Sequence, residues 1–296
     1  MLKRLLSLNL LLLALCYADI SLEGAFNWEK DGTAYCEGIR LAYLELAEPR
    51  IMKINAARIE VTNPKIDFCV AQADEKAGQV MEDAPKFKIC TRRQSVRAFM
   101  LNARKPVAEG GLGLNMVLGV NTTAWGPWPP PKGNPYAGNL GLVVSDGKLV
   151  SPPTPKRAAF IIGRDRSCRM LNPPEDFDIS DVYYAVSGFA IVLTNGECTG
   201  DKALHPRTGF GVSQDGKYVT FVVIDGRQKG YSEGCTTLEV AQLLKYFGAW
   251  NGMNMDGGGS STLMVLDGNK QPKMLNHHEG GAERNIACPF GIVLKE

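Results

Sequence analysis

The sequence predicts an α+β fold, with a mixed sheet at its core, a strand-rich N-terminal third and a βαβ unit near the C-terminus. Three observations point there. Apolar, β-branched runs bounded by turn residues fill the first third. Apolar residues recur at helical spacing in two segments, within 91–104 and within 236–247. From Lys217 to Met264, strand, helix and strand patterns follow one another directly. Such a crossover favours parallel strands joined with right-handed sense.

In chain order, Lys3 and Arg4 precede an apolar run from Leu5 to Leu15, and Cys16-Tyr17-Ala18 has the small-x-Ala form of a cleavage site. Residues 1–18 therefore read as a secretory signal peptide, whose apolar stretch is too short to span a bilayer. The remainder, 19–296, reads as one domain with a strand-rich part over 19–90 and a catalytic core over 91–296. Its expected location is periplasmic or extracellular, without a transmembrane anchor. Cleavage would remove two of the 33 Lys and Arg residues, leaving 31 against 31 Asp and Glu. A formally neutral chain gives no reason to expect a nucleic acid or an anionic membrane as partner. Of the eight cysteines, Cys16 goes with the leader and seven remain. An oxidising compartment predicts disulfides, and the odd count leaves at least one cysteine out.

Strands are expected at Ile39–Leu46, Ile51–Val61 and Ile66–Val70, and a helix over Thr91–Arg104 with Val96, Phe99 and Met100 on one face. Asn115–Val120 is an apolar strand ending at Asn121. Then follows Thr122-Thr123-Ala124-Trp125-Gly126-Pro127-Trp128-Pro129-Pro130-Pro131, a stiff loop in which Trp125 and Trp128 offer flat apolar faces to a sugar ring or else pin the loop to the core. Asp146-Gly147, Asn195-Gly196 and Asp215-Gly216 each mark a hairpin turn. Thr236 and Glu239 form a capping box ahead of Val240, Leu243, Leu244 and Phe247, and Gly248 can close that helix.

The richest chemistry lies in Asn254-Met255-Asp256-Gly257-Gly258-Gly259-Ser260-Ser261-Thr262. Three glycines let the backbone bend and approach a ligand, with a carboxylate before them and hydroxyls after. Asp225-Gly226-Arg227 ends the preceding strand of the βαβ unit, so both aspartates sit at strand C-termini, the usual ligand edge. Two convergent carboxylates suit glycosidic hydrolysis, or alternatively a hard cation. The bland alternative for an Asp-Gly pair is a turn whose carboxylate bonds nearby backbone N–H groups. Arg207 and Arg227 flank the unit, and an Arg fork suits phosphate. Thr262 stands where a G-x-S-x-G elbow requires Gly, and no P-loop is present.

Taken together these motifs resemble the phosphodiester glycosidase family. The resemblance rests on Asn121 after its strand, Gly141–Gly147, His205-Pro206-Arg207-Thr208 with Gly209 and Gly211, Asp225-Gly226-Arg227, Ser232-Glu233-Gly234, Asn254–Thr262, Asn276 and Glu283-Arg284, and spans about 39–294. Where many members carry Asn-Gly-x-Phe-Phe, this chain has Asn121-Thr122-Thr123-Ala124-Trp125. The resemblance implies an exported hydrolase that removes a sugar from a glycosyl phosphodiester. Asp256 is the first candidate for a catalytic carboxylate, with Asp225 and Glu283 competing for the second. Arg207, Arg227 and Arg284 are candidates to hold phosphate. Asn121, Asn254, Ser260, Trp125 and the backbone at Gly257, Gly258 and Gly259 are candidates to contact the carbohydrate-phosphate substrate. No cofactor is required by this reading, and a divalent cation is an option. Two other readings stand beside it: a non-catalytic glycan-binding envelope protein and a metal-dependent phosphodiesterase.

Overall fold

A computed structural model describes residues 20–295, so the expected signal peptide lies outside the described residues. The largest sheet has eight strands, in the order Thr33–Cys36, Ile39–Leu46, Met52–Glu60, Tyr218–Ile224, Arg207–Val212, Asn251–Asn254, Ala190–Thr194 and Glu197–Cys198. A second sheet runs Pro272–Met274, Leu263–Leu266, Met116–Thr123, Cys288–Leu294, Ile66–Val70. Alternation along each strand turns one face of both sheets toward a shared core that includes Ile59, Phe68, Leu118, Phe210, Phe221 and Phe290. A third sheet, containing Ala159–Gly163 and Val182–Ser187, adds Phe160 and Val186 to that core.

Each main sheet carries a longer helix on its outer face. Thr237–Tyr246 buries Val240, Leu243 and Leu244 against Ile54, Val222 and Ile224 of the large sheet. Its capping box forms as the sequence predicts, with Thr236 Oγ1 accepting from the Glu239 N–H. Gly248 then takes φ +92° as the chain turns away. The helix can lie close because Gly209 and Gly211 face it. A Cβ at Gly209 would come within 2.6 Å of Val240, and one at Gly211 within 2.5 Å of Ala249. Truncating either buried Leu to Ala here would cost about 2–5 kcal/mol. On the other sheet, Val96–Arg104 packs Val96, Phe99 and Met100 on Met116 and Met264. That helix starts five residues later than the periodicity alone suggests. Ser95 caps it, accepting from the Ala98 N–H, while Thr91–Arg92 pairs as a short strand with Tyr136 and Ala137.

The expected mixed sheet is instead antiparallel at every pairing of both main sheets. The reason is the Asp215-Gly216 hairpin. It folds Arg207–Val212 back onto Tyr218–Ile224, and Asn251–Asn254 then adds to the far side of Arg207–Val212. The strand–helix–strand unit does join two parallel strands, but a third, antiparallel strand separates them. The ends at Asp225 and Asp256 still share one sheet edge, with the start of Arg207–Val212 between them.

The predicted disulfides do not form among the described residues, where all seven cysteines are free. They are distributed over separate regions: Cys69 under the Val96–Arg104 helix, Cys235 under Thr237–Tyr246, Cys288 between the sheets. Burial pushes the Cys69 thiol up to about 12, as expected of a thiol acting as a small apolar group. Among the described residues no helix is long and apolar enough to cross a membrane.

Candidate active site

The glycine turn that follows Asn251–Asn254 is clamped by backbone on several sides. Its Met255 N–H donates to Thr208 O, the Asp256 N–H to Thr122 O, and the Gly258 N–H to Pro206 O, each at 2.8 Å. Gly257 lies so near the Pro206 carbonyl that a Cβ would come within 2.7 Å of it. Gly258 takes φ +62°, which favours glycine. Asn121 ties these segments together from the second sheet. Its Nδ2 donates to Asp256 O at 2.7 Å, and its Oδ1 accepts from Thr208 Oγ1 at 2.8 Å and from the Thr262 N–H at 2.9 Å. The side chain is wholly buried and all of these bonds are internal. Asn121, expected as a substrate contact, positions the turn instead.

The turn presents the Asp256 carboxyl among cations. Burial raises its pKa above the ordinary aspartate value; the Ser260 hydroxyl, the Gly257 N–H, and then Arg284 and Arg157 oppose that shift. Ser260 is fully buried, and its Oγ also takes a 3.4 Å contact from Arg284 Nη1. Arg284 lies flat against Gly259, where a Cβ would be 2.3 Å from Nη2. That close approach explains the third glycine. The other face of the guanidinium stacks on Trp128, 4.5 Å from the ring centre. Burial lowers the pKa of Arg284 and Arg157, and the Asp256 charge pulls both back up, which couples the three groups. Arg157 sits over the Phe189 ring at 4.4 Å. Sequence reasoning missed Arg157: it follows the Pro-rich stretch 151–155, belongs to no motif, and the fold alone brings its charge to bear on Asp256.

The remaining predicted residues separate from this cluster to different degrees. Arg227 borders the turn at Gly258, but its guanidinium is paired with His205 Nδ1 at 3.0 Å and with Glu279 at 3.4 Å. Asp225 is buried and its carboxylate is committed to backbone and amide. It accepts from the His277 N–H at 2.9 Å and from Asn276 Nδ2 at 3.2 Å. Glu283 pairs with Arg97 at 2.7 Å. Trp125 is buried, packed with Ala137 and Ala287, and Trp128 rests on it edge-to-face at 5.3 Å, so the exposed ring of the proline loop is Trp128.

Arg207 and Asn254 face the helix side of the sheet, in step with Gly209, Gly211 and Gly252. There they line a cavity of about 400 Å³ that also touches Phe189. The alternation Arg207-x-Gly209-x-Gly211 was the available signal, since the small residues mark the face on which the helix packs. As for a cation, no group of three His, Cys, Asp or Glu residues gathers among the described residues, and the charges acting on Asp256 are those of arginines. That donor set does not fit a divalent metal, and no step through one follows.

A sequence profile of the phosphodiester glycosidase family matches residues 117–293. The chain belongs to the phosphodiester glycosidase family. Among solved structures, the catalytic domain of zebrafish N-acetylglucosamine-1-phosphodiester alpha-N-acetylglucosaminidase, auto-inhibited by its pro-peptide, is similar at 17% identity and a TM-score of 0.61, over 87% of this chain and 83% of that one. A hypothetical protein from Synechocystis is similar at 13% identity and a TM-score of 0.55, over 89% of this chain and 63% of that one. At these identities the likeness shows a shared fold. No curated protein matches the sequence significantly. The profile covers Asn121, Arg157, the Asp256 turn and Arg284, so every group described around the carboxyl lies within the region matched to the family.

Proposed function

We propose that this phosphodiester glycosidase hydrolyses a glycosyl phosphodiester, releasing the sugar and leaving a phosphomonoester, with Asp256 as the proton donor. The observation that carries the reading is the Asp256 carboxyl at the head of a close-packed glycine turn, beside the buried Ser260 hydroxyl that Arg284 contacts at 3.4 Å, with the charges of Arg284 and Arg157 favouring its ionised form. Arg284 and Arg157 supply charge for the non-bridging phosphate oxygens. An ionised Asp256 would repel the phosphate, whereas a carboxyl that keeps its proton to higher pH can pass it to the bridging oxygen as the bond to the anomeric carbon breaks. Water adds its oxygen to that carbon, and the proton it loses balances the one transferred. Phosphate is a good leaving group when its charge is met by arginines, which lightens the demand on a second carboxylate. A raised carboxyl pKa close to the working pH is the usual tuning of such an acid.

The name of the zebrafish structure supports a 1-phosphodiester of an amino sugar as the first substrate to try. The same reading takes residues 1–18 as an export signal, which places the substrate in an envelope or extracellular glycan. Hydrolysis of such a diester in ¹⁸O-labelled water tests the bond that breaks. Label in the released sugar is the expected result; label in the phosphate would replace the proposal with a phosphodiesterase.

One observation favours a second reading, a glycan-binding protein without turnover. Neither Asp225 nor Glu283 is free to act beside Asp256, since the first holds the Asn276 side-chain amide and the His277 N–H and the second holds Arg97. Saturable binding of the diester with no sugar release would establish it.

A further inference from the structure

Arg284 reaches the glycine turn from the loop between Pro272–Met274 and the last strand, Cys288–Leu294. Asp225 holds the start of that loop at Asn276 and His277, and the Gln94–Ile286 bridge holds its end. Between His278 and Asn285, no backbone hydrogen bond reaches the rest of the chain among the described residues. Gly280 and Gly281 take φ +75° and +73° at the tip, where the chain bends back. Two ion pairs leave the loop, Glu279 with Arg227 at 3.4 Å and Glu283 with Arg97 at 2.7 Å. All four side chains are partly exposed, and pairs of that kind hold little.

His278 is different. It is 5% exposed, and both ring nitrogens are engaged. Nδ1 lies 2.9 Å from Ala282 O, two residues before Arg284, and Nε2 lies 2.8 Å from Thr262 Oγ1 at the end of the glycine turn. The first contact closes the loop on itself; the second ties it to the turn. Thr262 is fixed in its own place, its N–H donating to Asn121 Oδ1 at 2.9 Å. A carbonyl only accepts, so Nδ1 carries a hydrogen and donates to Ala282 O. The Thr262 hydroxyl has one hydrogen and two acceptors in reach, Nε2 and, at 3.1 Å, Ser260 O. A neutral ring takes that hydrogen at Nε2. A protonated ring donates to Oγ1 instead, and the hydrogen turns to Ser260 O. The tie between His278 and Thr262 therefore holds in either charge state, and both ring nitrogens are taken up by protein groups.

We infer that His278 is a positioning residue: by bridging Thr262 and Ala282 it holds the loop, and with it Arg284, against the glycine turn. The inference rests on the proposed reaction for what Arg284 does once in place. It carries a kinetic signature. Without the bridge, only a fraction of the chains hold Arg284 ready for the phosphate, and the apparent affinity falls by that fraction. Substrate at saturation selects the ready chains, so KM rises and kcat is largely kept. Loss of a group that acts in the chemistry would do the opposite.

Two readouts on the full chain test this, hydrogen exchange of the 278–284 segment and sugar release from the methyl diester of α-N-acetylglucosamine 1-phosphate. His278→Leu should speed exchange of that segment about tenfold while the strands on either side keep their protection. It should raise KM about fivefold and leave kcat within about twofold. His278→Gln, whose amide can donate to Ala282 O and accept from Thr262, should restore both readouts most of the way. Thr262→Val cuts the same tie from the turn and carries the test if His278→Leu does not fold. The double variant should be no worse than the more impaired single one, because both remove one bridge. Unchanged exchange, a fall in kcat at constant KM, or additive effects of the two substitutions would overturn the inference. Faster loop exchange in a protein whose wild type releases no sugar would sink the proposed reaction and leave the bridge standing. Sugar release with the wild-type KM in His278→Leu would do the reverse.

Discussion

Asp225 and Asp256 begin from nearly the same circumstances. Each ends a strand of the large sheet, each precedes a glycine, and both lie on one edge of that sheet. Burial raises the pKa of both. They differ in what surrounds the carboxyl. Asp225 accepts from a backbone N–H and a buried amide, fixed donors that hold it in place and leave no room for a proton to move usefully. Asp256 meets the Ser260 hydroxyl and the Gly257 N–H and feels the charges of Arg284 and Arg157, groups that also suit a phosphate. One dipeptide thus serves as a structural bracket in one place and a candidate acid in the other, and the neighbours contributed by distant segments decide which.

The sharpest way to break this contrast is Asp256→Asn. Loss of a positioned proton donor should lower kcat for a glycosyl phosphodiester by about 10²- to 10⁴-fold with the fold intact, checked by sugar-release kinetics beside circular dichroism. An unimpaired, folded variant would remove Asp256 from the mechanism. Asp225→Ala should show the opposite profile. It leaves the His277 N–H and Asn276 Nδ2 without their acceptor, which should lower stability by about 2–4 kcal/mol in denaturant titration, with less effect on kcat than Asp256→Asn.

A third measurement tests the environment of Asp256 by pH. Because burial raises the folded-state pKa of Asp256 above the ordinary aspartate value, its contribution to stability is fully present below that ordinary value and is lost as pH rises through the folded pKa. The wild type should therefore lose stability relative to Asp256→Asn as pH climbs from the acid range toward neutrality. Denaturation midpoints at a series of pH values check the sign, and a difference that does not change with pH would contradict it. The smallest effect belongs to Glu283→Gln. Its partly exposed pair with Arg97 is worth about 0–1 kcal/mol, and hydrolysis should stay within a fewfold of wild type. A loss comparable to that of Asp256→Asn would restore Glu283 as the second carboxylate.

Local signals in the sequence were read correctly where local physics governs the outcome. The Asp146, Asn195 and Asp215 turns, the Thr236 capping box and the glycine turn all form where their residues predict. The parallel pairing was misread because adjacency in a sheet is settled by long-range partners, and the Asp215-Gly216 hairpin brings in a strand that a strand–helix–strand pattern does not reveal. Within the site, Asp256, Ser260 and Arg284 were legible as motif residues. Arg157 was not, since a lone arginine in a loop looks the same whether it meets solvent or a buried carboxyl. Asn121 was legible as important but not in its role: only the three-dimensional arrangement shows its amide saturated by Asp256, Thr208 and Thr262.

That amide has a consequence for local opening. Loops at active sites often exchange their backbone hydrogens with solvent through small, inexpensive excursions. The Asp256 amide is bonded to the Asn121 strand, and Met255 and Gly258 are bonded to Thr208 and Pro206 beside Arg207, so the turn cannot swing out while both sheets stay in place. In heavy water, the Asp256 and Gly258 amides should be among the slow exchangers of the chain, retaining protium until the two sheets separate.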